Sequence, residues 1–378
     1  MSAREPEQGP ALLFLSGGTA LRPLCRTLKL HTHNSIHLIT PFDSGGSSAR
    51  LREAFGMLSI GDLRNRLMAL ADETAHGNPE IYRLFAYRLP KSSDQALLRR
   101  SVASAADGTH PLVVDVPEPL RQHVRACMER FTSAMPDDFD LRGASVGNLV
   151  LAGGYLENGR DIEAVIELFS RLVAVRGSVR PTTEASLHLV AVLENGTRVV
   201  GQHLITGKAC APITSPIAGL ELVSNLTDGE AAEASLDDGL VELVDQADVV
   251  CFPMGSFWTS VVANLLVRGL GAAIANKSCP KVYIPNVGED PEQFGMSIAD
   301  CLRALHFYVA RDTERDAPLS ECVDLVLVDS KRGDYCGRLD LGELEKLGIQ
   351  VLDTQLVSDQ RRRLFDPALL SEALLSLA

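Results

Sequence analysis

Apolar runs alternate with amphipathic stretches along most of this chain. The run ALLFLS, Ala11 to Ser16, ends at Gly17-Gly18-Thr19, and ALRPLCRTLKL follows with apolar residues at helical spacing. A second run, Ile36 to Thr40, completes a strand-helix-strand unit, which predicts parallel pairing. From Gly61 to about Asp140 the period changes. DLRNRLMALAD, PEIYRLFAYRL, QALLRRSVASA and PEPLRQHVRACMERF are all amphipathic and separated by Gly, Pro, Ser or Asp, so a helical insertion is expected there. GASVGNLVLAGGYLE and DIEAVIELFSRLVAV supply two more helices. In SLHLVAVLENGTRVVGQHLI, Asn195-Gly196 between two strand-like segments predicts a hairpin. A strand GLELVS, a helix over Ala231 to Gln246, and strand ADVVCF come next. Helix WTSVVANLLVRGL, strand KVYIPN, helix MSIADCLRALHFYVA and strand DLVLVD follow in order. That alternation predicts an α/β fold with a doubly wound, mostly parallel sheet. Residues 1–10 read as a polar tail, 11–310 as the main domain with its insertion at about 61–140, and 311–378 as a strand-helix extension on the same sheet.

Composition narrows the function classes. The 378 residues are 46% hydrophobic and 22% charged, which fits a sizeable core, and the net charge of −13 argues against a nucleic-acid partner. The N-terminus lacks a signal-peptide pattern, and FWTSVVANLLVRGLGAAIA carries Arg268 near its middle, so no membrane span is expected and a cytoplasmic protein is. The eight cysteines, Cys25, Cys127, Cys210, Cys251, Cys279, Cys301, Cys322 and Cys336, include no CxxC pair and read as reduced thiols. His31, His33 and His37 straddle a helix end and a strand start, so their side chains should diverge. No zinc or haem site is expected.

Ligands of open α/β sheets bind beyond the carboxyl ends of the strands, where strand order reverses. The residues that follow the strands here are Gly17, Gly18 and Thr19; Asp43 with Gly45, Gly46, Ser47 and Ser48; Gly255, Ser256 and Thr259; and Asn286. Glycine lets a backbone approach an oxyanion, a helix start adds partial positive charge, and hydroxyls donate. Each loop alone also reads as a tight turn with a serine cap. Their coincidence at strand ends points to a phosphate or diphosphate site.

SGGTAL, DSGGSSARLREAFGMLSIGDLRNRLMALAD, GASVGNLVLA, VRGSVRPTT, MGSFWTSVVANLLVRG and VYIPNV resemble, in order, the motif series of the CofD-like family, most closely its YvcK branch of gluconeogenesis factors. The resemblance runs from about Leu12 to Ala304. It implies a Rossmann-like core that holds a nucleotide diphosphate. CofD-type members imply a transferase that moves phospholactate from a guanosine diphosphate donor to a deazaflavin alcohol with magnesium. YvcK-type members imply a binder of UDP-sugars that regulates carbon and cell-wall metabolism. The serine-glycine loop and GDLRN favour the second branch. Three positions depart from the family pattern: Ala20 replaces a glycine, Asp43 is followed by Ser44 where paired aspartates are usual, and Met254 alters the turn before Gly255-Ser256.

Asp43 and Asp62 are the candidate catalytic and magnesium-holding carboxylates. Asp62 equally reads as a helix cap worth about 1 kcal/mol. Arg50 and Arg64 read as phosphate partners or as ion pairs with Asp43 or Asp62. Asn65, Asn148 and Asn286 complete the candidate ligand set, with turn capping as the alternative for the last two. Trp258, the one tryptophan, reads as packing before base stacking. Binding of a nucleotide diphosphate is the expected function, CofD-like transfer the alternative, and an acidic scaffold a third; self-association stays open.

Overall fold

The structure, a computed structural model, describes residues 5–74, 76–207, 212–227, 229–313, 315–359 and 362–378. The chain divides into two compact units, residues 1–42 with 177–378, and residues 43–176. Among the described residues the first unit holds ten strands: β1 (Leu12–Ser16), β2 (Ile36–Ile39), β3 (Ser178–Pro181), β4 (His188–Leu193), β5 (Arg198–Val200), β6 (Ile217–Val223), β7 (Val249–Phe252), β8 (Lys281–Tyr283), β9 (Leu325–Val328) and β10 (Gln350–Asp353). Seven of them form one sheet in the order β10-β9-β8-β7-β1-β2-β3, and every pairing in it is parallel. The chain runs outward from β1 through β2 to β3, then returns to β7 and runs the other way. Strand order therefore reverses between β1 and β7, which register Leu12 against Val249 and Phe14 against Cys251.

Strands buried on both faces need continuous apolar runs, and all of β1, β2 and β7 are buried. Helices α1 (Arg22–Leu28), α10 (Gln202–Ile205), α11 (Asp238–Asp245), α12 (Leu270–Ala275), α13 (Ile298–Ala310), α14 (Leu319–Cys322), α15 (Leu341–Lys346) and α16 (Pro367–Leu375) belong to the same unit. Leu13, Leu38, Val250 and Phe252 share one core with Leu302 and Leu305 of α13. β9 and β10 extend the sheet with residues from the C-terminal extension.

Three local expectations change. GLELVS is a strand, but it is part of β6 and pairs antiparallel with β4 in a separate three-stranded sheet, order β5-β4-β6. Its apolar face, Leu220 and Leu222, packs into the main core, and the Leu220 N–H donates to Tyr308 Oη at 2.7 Å. The hairpin at Asn195-Gly196 is as the pattern predicts, with Gly196 at φ +83°. The helix expected over 231–246 begins only at Asp238, because Asp237 accepts the Leu240 N–H and Ala231 and Ser235 instead bridge to Val223 and Arg268. Residues 5–10 are no free tail: Asn34 Nδ2 donates to the Glu7 and Gly9 carbonyls, and His33 pairs with Glu7 at 3.1 Å. His37 is buried, stacked on Phe14, while His33 faces Glu7, so the histidines diverge.

The second unit is helical: α2 (Gly46–Phe55), α3 (Gly61–Leu70), α4 (Pro79–Ala86), α5 (Gln95–Asp107), α6 (Pro111–Val114), α7 (Leu120–Ala134), α8 (Val146–Glu157) and α9 (Ile162–Val173). It is wider than the 61–140 insertion read from the period change. The serine-glycine stretch is itself the first turn of α2 rather than a long loop, and α8 and α9 close the unit. Where α7 and α8 pack, a Cβ at Gly153 would lie 1.8 Å from the Cys127 carbonyl oxygen. Only glycine permits that approach. None of the seven described cysteines is in a disulfide, and Cys210 lies outside the described residues. Among the described residues no helix is long and apolar enough to cross a membrane.

Gly153→Ala is expected to force α7 and α8 apart and destabilise the protein by about 2–3 kcal/mol or more. Urea unfolding should show the midpoint falling, and an unchanged midpoint would contradict this packing account.

Candidate functional site

In the first unit, the loops after β1 and β7 meet at the point where strand order reverses. A Cβ built on Gly255 would sit 3.5 Å from that of Ala20, and Gly255 adopts φ +139°, a conformation open to glycine. Asn286, in the loop after β8, clamps that turn: its Oδ1 accepts the Gly255 N–H at 2.8 Å and its Nδ2 donates to the Gly255 carbonyl at 2.6 Å. The same Nδ2 reaches Asp290 and Gln293. The Asn286 side chain is thus taken up by the protein itself.

The segment expected as one helix over WTSVVANLLVRGL starts as a wide π turn, Phe257–Val261, and tightens to a 3-10 turn, Val262–Leu266. Its first N–H groups face internal carboxylates. Phe257 N–H donates to Asp290 at 2.9 Å, and Trp258 and Thr259 N–H donate to Glu292 Oε2 at 2.9 and 2.8 Å. Thr259 Oγ1 adds a 2.6 Å bond to Glu292 Oε1. Ser256 bonds the same carboxyl. A carboxylate of the chain occupies the place where sequence reading puts a phosphate. Burial and the neighbouring Asp290 push Glu292 up to about 7, against the hydrogen bonds from Thr259 and Ser256, which favour the anion. Trp258 is 2% exposed and packs edge-on against Phe257 and Tyr308, a core role. Gly17 is buried, Gly18 half-buried and Thr19 exposed at the end of β1.

In the second unit, three helix starts come together. Asp43 Oδ1 accepts the Gly45 N–H at 2.9 Å just before α2, and Arg52 Nη1 donates to the Asp43 carbonyl at 3.1 Å. At the first residue of α3, a Cβ on Gly61 would lie 2.3 Å from Ser48 Oγ and 3.5 Å from Asp43 Oδ2. At the third residue of α8, Asn148 Oδ1 accepts from Arg64 Nε at 3.2 Å and Nδ2 donates to Ser47 Oγ at 3.4 Å. Gly147 leaves room for this, since its Cβ would meet Arg64 Cδ at 3.3 Å and the Phe85 carbonyl at 2.8 Å. The first turns of α2, α3 and α8 therefore share one polar cluster of Asp43, Ser47, Ser48, Arg64 and Asn148. Each start contributes the positive end of a helix dipole.

Arg52, Arg64 and Arg66 are all buried, at 5%, 7% and 1% exposure. Burial lowers the Arg52 guanidinium to about 10, opposed by Asp43. Asp62 and Asn65 are half-buried in the first two turns of α3. Arg50 pairs with neither Asp43 nor Asp62 but with Asp140 at 3.1 Å, and it donates to the Arg142 carbonyl. That contact ties α2 to the segment before α8. Among the described residues no group of three or more His, Cys, Asp or Glu is placed to hold a metal ion.

Sequence reading missed Asp290, Glu292 and the buried Arg52 and Arg66. The acidic run GEDPEQ after strand KVYIPN was the available signal for the first two, because it too follows a strand end.

The family model for "2-phospho-L-lactate transferase CofD" matches residues 12–357, well past Ala304 where the motif resemblance ends. A Nostoc relative is 31% identical over 81% of this chain, and a Clostridium acetobutylicum relative 28% identical over 93%. The aligned regions span 53% and 65% of those two proteins, so this chain covers less than two thirds of either. A Bacillus subtilis protein named gluconeogenesis factor is 27% identical, covering 93% of this chain and 92% of its own length. A Bacillus halodurans crystal structure, described as a member of the UPF0052 family, superposes with a TM-score of 0.71 at 26% identity over 97% of this chain and 99% of its own.

The buried Glu292 sets an expected pH dependence. Its proton is held more tightly in the folded state than at the ordinary value of 4.5, so its stabilising effect is complete below about pH 4.5 and is lost as pH rises through about 7. Glu292→Gln is expected to remove that part of the slope, read as the difference in urea midpoint between the variant and the wild type at pH 5 and pH 8. A constant difference across that window would contradict it.

Proposed function

This chain belongs to the CofD family, and from that premise we propose that it binds a nucleotide diphosphate, with a UDP-sugar as the model ligand, in the manner of a regulatory gluconeogenesis factor. The observation that carries the reading is the meeting of the α2, α3 and α8 starts at Ser47, Ser48 and Asn148 beside the buried Arg64. The N-terminal ends of helices and a guanidinium form an anion-binding environment, and a diphosphate supplies the matching charge. Ser47 and Asn148 would hydrogen-bond phosphate oxygens there, and Arg64 would offset their charge.

Magnesium fits this reading only as an ion brought with the phosphates. One or two protein carboxylates suffice for magnesium held mainly by phosphate and water. Asp43, with Oδ2 close to the start of α3, and Asp62 in that first turn are the residues that would hold it. The CofD-type alternative adds transfer of a phospho-acid group to an alcohol. It uses the same anion site, and no separate feature of the chain favours it over binding.

Calorimetry with UDP-sugars, GDP and ADP-ribose tests the proposal. Binding is expected for at least one of them, weakened about tenfold, or 1.4 kcal/mol, by Asn148→Ala and by Ser47→Ala. No heat at millimolar ligand overturns the reading. Release of a nucleoside monophosphate on adding an alcohol acceptor and magnesium would replace binding by transfer.

A further inference from the structure

We propose that Asp140 is a positioning residue of the anion site: acting through Arg50, it sets the spacing between the starts of α2 and α8 and so the hold on a ligand phosphate. The inference rests on the reading of the site given above, and all of its residues belong to the second unit.

The direct link between these two helix starts is slack. Asn148 Nδ2 reaches Ser47 Oγ at 3.4 Å, well beyond the ~2.9 Å of a strong bond. A second link is tighter. Arg50 stands one turn after Ser47 on α2, and its guanidinium is held from two directions. Nη1 pairs with the Asp140 carboxylate at 3.1 Å and also donates to the Asp140 carbonyl, while Nη2 donates to the Arg142 carbonyl at 3.2 Å. Asp140 is fixed in turn. Its Oδ1 accepts the Arg142 N–H at 3.0 Å, and the Arg142 guanidinium closes on both carboxylate oxygens at 2.9 and 3.2 Å. Gln95, the first residue of α5, donates to the same carboxylate. Beyond Arg142 the chain is pinned up to α8: the Gly143 and Val146 N–H groups donate to the Leu89 and Tyr87 carbonyls, each at 3.0 Å. Moving Arg50 therefore moves Ser47, and moving Asp140 strains the short segment that carries Asn148.

The link works by geometry rather than by charge. The Arg50 and Asp140 side chains are 31% and 36% exposed, and an ion pair in that setting contributes little energy. The Arg142 hydrogen bonds, with Arg50 nearby, hold the Asp140 carboxyl down to about 2, so it is an anion at neutral pH. An anion near a phosphate site opposes the ligand. Charge alone thus predicts that loss of Asp140 tightens binding, and positioning predicts that it weakens binding. The opposite signs separate the two accounts.

The test uses Asp140→Ala, Arg50→Ala and the double variant in the full chain, read first without any ligand. In amide NMR spectra the Asn148 side-chain NH2 and the Ser47 N–H are expected to shift in both single variants, with the circular dichroism spectrum unchanged. Calorimetry with a nucleotide that binds the wild type should then show binding about tenfold weaker in each single variant, and no weaker still in the double variant, because both act through one link. Asp140→Asn keeps an acceptor for the Arg142 N–H and removes the charge; it repeats both readouts should the alanine variant fail to fold. Unmoved Asn148 and Ser47 signals, tighter binding on loss of Asp140, or losses that add in the double variant would each overturn the proposal. If no nucleotide binds the wild type, the proposed function falls, and the ligand-free spectra still decide whether Asp140 sets the spacing.

Discussion

A helix start presents N–H groups with no partner inside the helix, and something must accept them. This constraint organises both units of the chain, and the two meet it differently. At Phe257–Thr259 the acceptors are the chain's own Asp290 and Glu292. At α2, α3 and α8 the groups gathered round the starts are short: glycines, the Ser47 and Ser48 hydroxyls and the Asn148 amide, with one carboxylate, Asp43. The first arrangement is closed by a covalent part of the protein. The second gathers dipoles and a buried cation, and among the described residues the side-chain bonds of Asn148 run to Arg64 and Ser47 rather than to a carboxyl, which is why the proposed anion site is placed there.

The same constraint explains what could be read in the sequence. The strand series and the Asn195-Gly196 hairpin were legible because burial on two faces demands continuous apolar runs and a two-residue turn demands positive φ. Asp43, Ser47, Ser48, Arg64 and Asn148 were legible as polar residues at element starts, and the fold brings them together. Gly255, Ser256, Thr259 and Asn286 looked equivalent to them in one dimension. Whether a given N–H faces a ligand or a side chain 33 residues away, as with Thr259 and Glu292, depends on tertiary placement that no local pattern encodes. The antiparallel β4-β6 sheet was invisible for a similar reason. Alternating apolar residues specify a strand, but not which sheet it joins.

Helix boundaries failed where side chains compete with the backbone. Asp237 delayed α11 by accepting the Leu240 N–H. In 257–266, Asn264 Nδ2 donates to the Ser260 and Ser16 carbonyls, so an amide side chain takes acceptors that a regular helix and β1 would otherwise present. The wide-then-tight course of that segment follows from two sets of foreign partners, carboxylates at its start and an amide in its middle. Helical periodicity alone reports the apolar face, and that face is present: Phe257, Trp258, Val261, Val262 and Leu265 are all core residues.

The charge balance completes the argument. A chain with a net charge of −13 repels anions at long range, so an anion site in it must be built from local, desolvated positive charge. Burying a guanidinium is costly unless acceptors meet it, and Arg52, Arg64 and Arg66, all on α2 and α3, are buried. Arg52 gives part of its hydrogen bonding to the Asp43 carbonyl and Arg64 to Asn148, both within the polar cluster at the helix starts. A surface arginine such as Arg50, spent on Asp140, contributes little to a field that water and salt screen. Cations placed under the helix starts act where the dielectric is low, and there a few residues outweigh the charge of the whole surface.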